Sequence, residues 1–119
     1  MDLSELEAFR KEKYIYLTTT GRDSGKPHTV ELWFALAPGG VYLSHEGDAT
    51  DWMKNVSKRP RVSAKIGRVT FQADASVVGS DDGRDEGAKA LYEKYYQPAS
   101  KEVIDDWFSL SKVIKLRLL

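Results

Sequence analysis

Residues 29–37 read TVELWFALA, and their strict two-residue alternation constrains the fold more than any other stretch. Val30, Leu32, Phe34 and Leu36 point one way, and Glu31, Trp33 and Ala35 point the other. Such a run is a strand with one face in a core. A polar, glycine-bounded turn precedes it (residues 21–27, GRDSGKP) and Pro38-Gly39-Gly40 follows it, so antiparallel partners are expected on both sides. Residues 14–20 supply the first, with Ile15 and Leu17 on one face and Tyr14, Tyr16 and Thr18 on the other. Residues 41–45 supply the second.

Further strands are predicted over residues 61–66, through Val62, Ala64 and Ile66, and over residues 69–78, with Val69, Phe71, Ala73, Ala75 and Val77 inward. Residues 113–118 end the chain as another. Between the strands, Leu3, Leu6 and Phe9 predict a helix over residues 3–12, started by Asp2 or Ser4 and lying as a lid over one end of a barrel. Asp48 or Thr50 can cap a short helix carrying Trp52, Met53 and Val56, with Pro60 just beyond it. Residues 86–96 place Ala90, Leu91, Tyr95 and Tyr92 along one helical stripe, and residues 101–110 repeat the pattern with Val103, Ile104, Trp107 and Phe108. Short antiparallel strands with few helices predict a mainly β molecule, a small closed or split barrel, as one domain over residues 1–119.

Eighteen basic and eighteen acidic residues balance, so no overall field favours nucleic acid or an anionic membrane, and anion recognition has to be local. The absence of cysteine excludes disulfides, thiolate chemistry and cysteine-ligated metals. His28 and His45 are the only histidines and no ligand spacing accompanies them, so no metal is expected. No Walker, Rossmann or nucleophile-elbow pattern occurs. The N-terminal residues lack an apolar signal core and no later run is long enough to span a bilayer, so a cytoplasmic location is expected.

Two stretches carry possible chemistry. The turn offers Arg22, Ser24, Lys26 and glycine-freed amides as an anion cradle; the plain alternative is a hairpin with solvated charges. The second is Ser44-His45-Glu46-Gly47, running into a capped helix with Trp52 and Asn55. Trp33, on the outward face, is either a dimer contact or a platform for a ligand ring.

The segment LTTTGRDSGKPHTVELWF, the strand ending in Ser44, and DWMKNVSKRPRVSAKI resemble the deazaflavin-dependent nitroreductase family, within the split β-barrel superfamily that includes pyridoxamine-phosphate-oxidase-like FMN-binding proteins. The likeness spans about residues 14–78 and is most specific in TTGR-x-SG-x-P, in Trp52-x-x-Asn55 and in Arg-Pro-Arg-Val. It implies a six-stranded antiparallel split β-barrel that forms a homodimer and binds coenzyme F-420, with FMN as the alternative. It also implies an oxidoreductase that passes hydride to a quinone, a nitroaromatic or an enone. By position, Arg22, Ser24, Lys26 and His28, with Ser44, His45, Glu46 and Gly47, would hold the phosphate and tail. Glu31, Leu32 and Trp33 would line the ring, Trp52 and Asn55 would support it, and Tyr92, Tyr95 and Tyr96 would cover the substrate. Tyr16, Glu31 and Tyr96 are the candidate proton donors. Asp23, His28 and His45 stand where the family often carries cations, which predicts weaker affinity for a long acidic tail. A non-enzymatic carrier of flavin, haem or a tetrapyrrole on the same barrel is the competing expectation.

Overall fold

Seven strands of one antiparallel sheet form the computed structural model, which describes residues 2–46, 51–77, 84–95 and 111–119. They are β1 (Ile15–Thr20), β2 (Pro27–Leu32), β3 (Phe34–Ala37), β4 (Gly40–Glu46), β5 (Arg61–Ile66), β6 (Val69–Val77) and β7 (Ser111–Leu118). The order is β2-β1-β5-β6-β7-β4-β3. Its two outermost strands are consecutive in the chain, so the sheet must curl until its edges meet at Trp33.

The strand expected over residues 29–37 is therefore bent rather than continuous, and the expected six strands become seven. Its first half pairs with β1, Ile15 opposite Leu32, and its second half with β4, Phe34 opposite Leu43. A strand that changes partner has to break its ladder, and here the Phe34 N–H at the break is bonded by the Tyr95 phenol oxygen at 3.0 Å. The alternation survives the bend. Val30, Leu32, Phe34 and Leu36 all reach the same core, beside Ile15, Leu17, Val62, Ala64, Ile66, Phe71 and Ala73. Val77 departs from its expected inward position and is 51% exposed, because its pair with Ile114 is the last rung between β6 and β7.

The N-terminal segment is a 3₁₀ helix over Leu3–Phe9, shorter than the helix expected. Asp2 caps it through a reciprocal box: its carboxylate accepts from Ser4 N–H at 3.4 Å while Glu5 accepts from Asp2 N–H at 2.8 Å. Leu6 is fully buried and Leu3 and Phe9 pack beside it, closing one part of the core as a lid would.

Helix α1 (Asp51–Lys58) buries Trp52, Met53, Asn55 and Val56 against β1 and β6. Helix α2 (Arg84–Tyr95) lies on β3, β4 and β7, where Leu91 meets Ala35, Ala37, Tyr42 and Val113 in a second, smaller core. Ala35 is thus covered by α2 rather than exposed. Gly87 permits the contact, since a Cβ there would come within 2.1 Å of the Tyr42 ring. The expected helix over residues 101–110, the caps Asp48 and Thr50, and the site candidates Gly47 and Tyr96 lie outside the described residues. Among the described residues no helix is long and apolar enough to cross a membrane.

Candidate functional site

The β1–β2 turn is closed by Gly21 N–H to Lys26 O at 2.8 Å and Gly25 N–H to Gly21 O at 2.9 Å. Ser24 Oγ accepts from Lys26 N–H at 3.2 Å, which leaves the hydroxyl proton available to a ligand. Ser24 and His28 converge over Gly21: a Cβ there would lie 2.5 Å from Ser24 Oγ and 3.1 Å from His28 Nε2. Only glycine lets both side chains approach the backbone this closely.

Helix α1 fixes the turn. Asn55, 4% exposed, accepts at Oδ1 from the Arg22 N–H at 3.1 Å and from Arg22 Nη1 at 2.9 Å, and its Nδ2 donates to Thr19 Oγ1 at 3.3 Å. Arg22 also donates from Nη1 to Asp51 O at 3.4 Å and from Nη2 to Asp51 Oδ1 at 3.3 Å. Its guanidinium is therefore a clamp between turn and helix, with Nε and one Nη2 hydrogen left unbonded among the described residues. Asp23 reaches Lys58 at only 3.9 Å with both groups exposed, a pair worth little.

Between turn and helix runs a cleft of about 610 Å³, within the range of small-molecule sites. It brings together Arg22, Ser24, His28, Trp52 and Asn55 from the expected set, with Thr29 and Val30. Trp52 is only 6% exposed and belongs mainly to the core, so little of it is open to a ligand. Asn55 is occupied by the clamp. Lys26 is exposed and does not line the cleft.

The remaining candidates lie elsewhere. Tyr16 donates to Glu31 at 3.1 Å across the outer face of β1 and β2, and the carboxylate pushes the phenol above its ordinary pKa. Leu32 packs against the core. Trp33 stacks on Tyr95 with ring centroids 4.4 Å apart and planes 6° from parallel, so its outward face already has an aromatic cover within the chain. Tyr92 is 7% exposed and so is held in the packing of α2, not poised over an open face. Ser44 lies on β4 opposite Val113, while His45 and Glu46 pair in register with Lys112 and Ser111. The β3–β4 ladder stops at Leu43, so these three residues run past the bend at Trp33 with β7 as their paired strand.

Lys94 was not among the sequence candidates. Its ammonium is buried, has no hydrogen bond among the described residues and lies 3.5 Å from the Phe34 ring centroid. The readable signal was a charge on an apolar stripe: Gly87, Ala90, Leu91 and Lys94 recur at helical spacing on one face of α2.

A fold and a clamped glycine turn of this kind define a class of split-barrel proteins, and comparison with known families makes the class specific. The model of the family described as "F420H(2)-dependent quinone reductase" matches residues 4–102. The chain belongs to that family and is an oxidoreductase dependent on coenzyme F-420. Among solved structures, a conserved hypothetical protein from Mycobacterium tuberculosis is 21% identical with a TM-score of 0.78, the match covering 99% of this chain and 81% of that one. HutZ, the haem storage protein from Vibrio cholerae, is 22% identical with a TM-score of 0.73, covering 100% and 92%. A structure described as an F-420 reductase is 18% identical with a TM-score of 0.63, covering 95% and 92%. These three likenesses establish the shared fold. Comparison with curated proteins gives no match.

The cleft suits the phosphate of such a cofactor. The free hydroxyl proton of Ser24, the His28 imidazole and the unbonded Arg22 N–H groups line this one cleft and can donate to an oxyanion. Asp23 and Asp51 flank the same cleft, which makes it less suited to a string of further carboxylates.

Proposed function

We propose that the chain reduces a small organic acceptor, a quinone, nitroaromatic or enone, with its deazaflavin held by the β1–β2 turn. The observation that carries this reading is the Arg22–Asn55–Asp51 clamp, which fixes the donors of the turn against α1 before any ligand arrives. Arg22, Ser24 and His28 hold the phosphate, and Trp52 borders the ring. Bound there, the reduced deazaflavin supplies a hydride. The protein's own part is to position that ring, exclude water and present an acceptor to it.

Ser44–Glu46, past the bend, border the same end of the barrel and extend the site toward the tail. Tyr95, stacked on Trp33, bounds the acceptor side. The active form is a homodimer, in keeping with a fold relative described as a domain-swapped dimer. A cytoplasmic location fits a cysteine-free chain.

Titration of coenzyme F-420 by its fluorescence tests the assignment. His28 is exposed, so His28→Ala should fold normally and bind about tenfold more weakly, a loss of ~1.4 kcal/mol. Equal binding by this variant removes the turn from the site. FMN or haem bound in preference, without turnover of a simple quinone, supports the carrier reading instead.

A further inference from the structure

A second cleft, of about 670 Å³, lies between residues 10–13 and α2 and shares no lining residue with the first. Four cations line it, Arg10, Lys11, Lys13 and Lys94, against one carboxylate, Glu93. Its remaining walls are apolar, formed by Ala35, Leu36, Ala90 and the Tyr95 ring.

Two of the acids near it, Glu7 and Glu93, have other partners. Glu7 takes Arg10 in a two-point pair at 2.8 and 2.9 Å. Glu93 is 3.9 Å from Lys89. Glu12 favours the charge on Lys94, but Arg10 and burial oppose it more strongly. Lys94 thus holds a buried ammonium with no hydrogen-bonding acceptor among the described residues, offset by the Phe34 ring beneath it. Methionine would fill the same space with no charge to desolvate. A group this costly to bury is typically retained for binding or chemistry.

We propose that this cleft binds a small carboxylate, whose apolar body lies on Ala35, Leu36 and Ala90 and whose charge draws the Lys94 ammonium out from over the Phe34 ring. Lys11 and Lys13 at the exposed rim draw the anion in. A monoanion with an apolar body matches one buried cation in an apolar wall, whereas free phosphate leaves that wall uncovered. The site is independent of the phosphate-binding assignment, because it shares no lining residue with that cleft; Tyr95, placed above on the acceptor side, forms one of its walls.

The test uses 2-naphthoate, its neutral analogue 2-naphthamide, and inorganic phosphate, titrated at constant ionic strength against the whole chain. Naphthoate should bind at least tenfold more tightly than either of the others. Lys94→Met should abolish that preference. The double variant Lys11→Gln, Lys13→Gln, confined to exposed positions, should weaken naphthoate several-fold with folding intact. His28→Ala should bind naphthoate as the parent does, even if its cofactor affinity falls. Equal binding of the amide, phosphate binding as tight as naphthoate, unchanged binding by Lys94→Met or by the double variant, or loss of binding in His28→Ala would each overturn the proposal.

Discussion

Asn55 does more for the cleft as an anchor than a solvated amide could. With it sit the Arg22 N–H, the Arg22 guanidinium and the Thr19 hydroxyl, the last fully buried. Asn55→Ala strands these groups and should cost ~2–3 kcal/mol of stability by denaturant unfolding. Asn55→Asp keeps the acceptor for Arg22 and should cost clearly less; equal losses would mean that the amide packs rather than clamps. Lys94 makes the opposite prediction. Burial lowers its pKa from 10.5 to about 8, so the folded chain holds this proton less tightly than the unfolded chain. The penalty is complete below about pH 8, and stability should rise as pH climbs from there toward 10.5. Lys94→Met should therefore stabilise the protein at neutral pH, by on the order of 1–3 kcal/mol after screening, and flatten that rise. A less stable variant would show that the contact with the Phe34 ring outweighs the cost of burial.

At the scale of elements, α2 is seated by close approach rather than by amphipathic contrast. Gly87 faces the Tyr42 ring with no room for a methyl group, and Tyr42 is itself 1% exposed. Gly87→Ala raises intrinsic helix propensity by ~1 kcal/mol yet forces the ring or the helix to move, at a cost of ~1–3 kcal/mol. The expected result is a net loss of stability on unfolding, where propensity alone predicts a gain. Strand faces were legible because alternation is local: Val62, Ala64 and Ile66, or Leu32, Phe34 and Leu36, announce their side without knowledge of a partner. The seat of α2 was not, since Gly87 gains its meaning from a tyrosine 45 residues earlier. The clamp was legible only as a motif. Trp52 and Asn55 stood out by spacing, but what Asn55 holds depends on how β1 lies against α1.

Across the whole molecule, the decisive event is the change of partner at Trp33, which turns one strand into two and a flat sheet into a barrel. Nothing in residues 29–37 marks it, because the alternation runs through the bend unchanged. A distant tyrosine holds the break. The Tyr95 oxygen accepts from Phe34 N–H at 3.0 Å and lies within donating reach of Lys13 O at 2.7 Å and Phe34 O at 2.9 Å, while its ring stacks on Trp33. One hydroxyl thus joins the N-terminal segment, the bend and α2, and its single proton favours the shorter contact to Lys13. Tyr95→Phe preserves the stack but leaves the Phe34 N–H without its acceptor, in a half-buried place where water compensates poorly. Stability should fall by ~1–2 kcal/mol, and amide exchange at Phe34 and through the end of α2 should quicken more than in β5 or β6. Tyr95→Leu removes the stack as well and should loosen the bend further, seen as a larger change in Trp33 fluorescence. If Tyr95→Phe left exchange at Phe34 unchanged, the bend would be held by the curl of the sheet alone, and Tyr95 would be only a cover for Trp33.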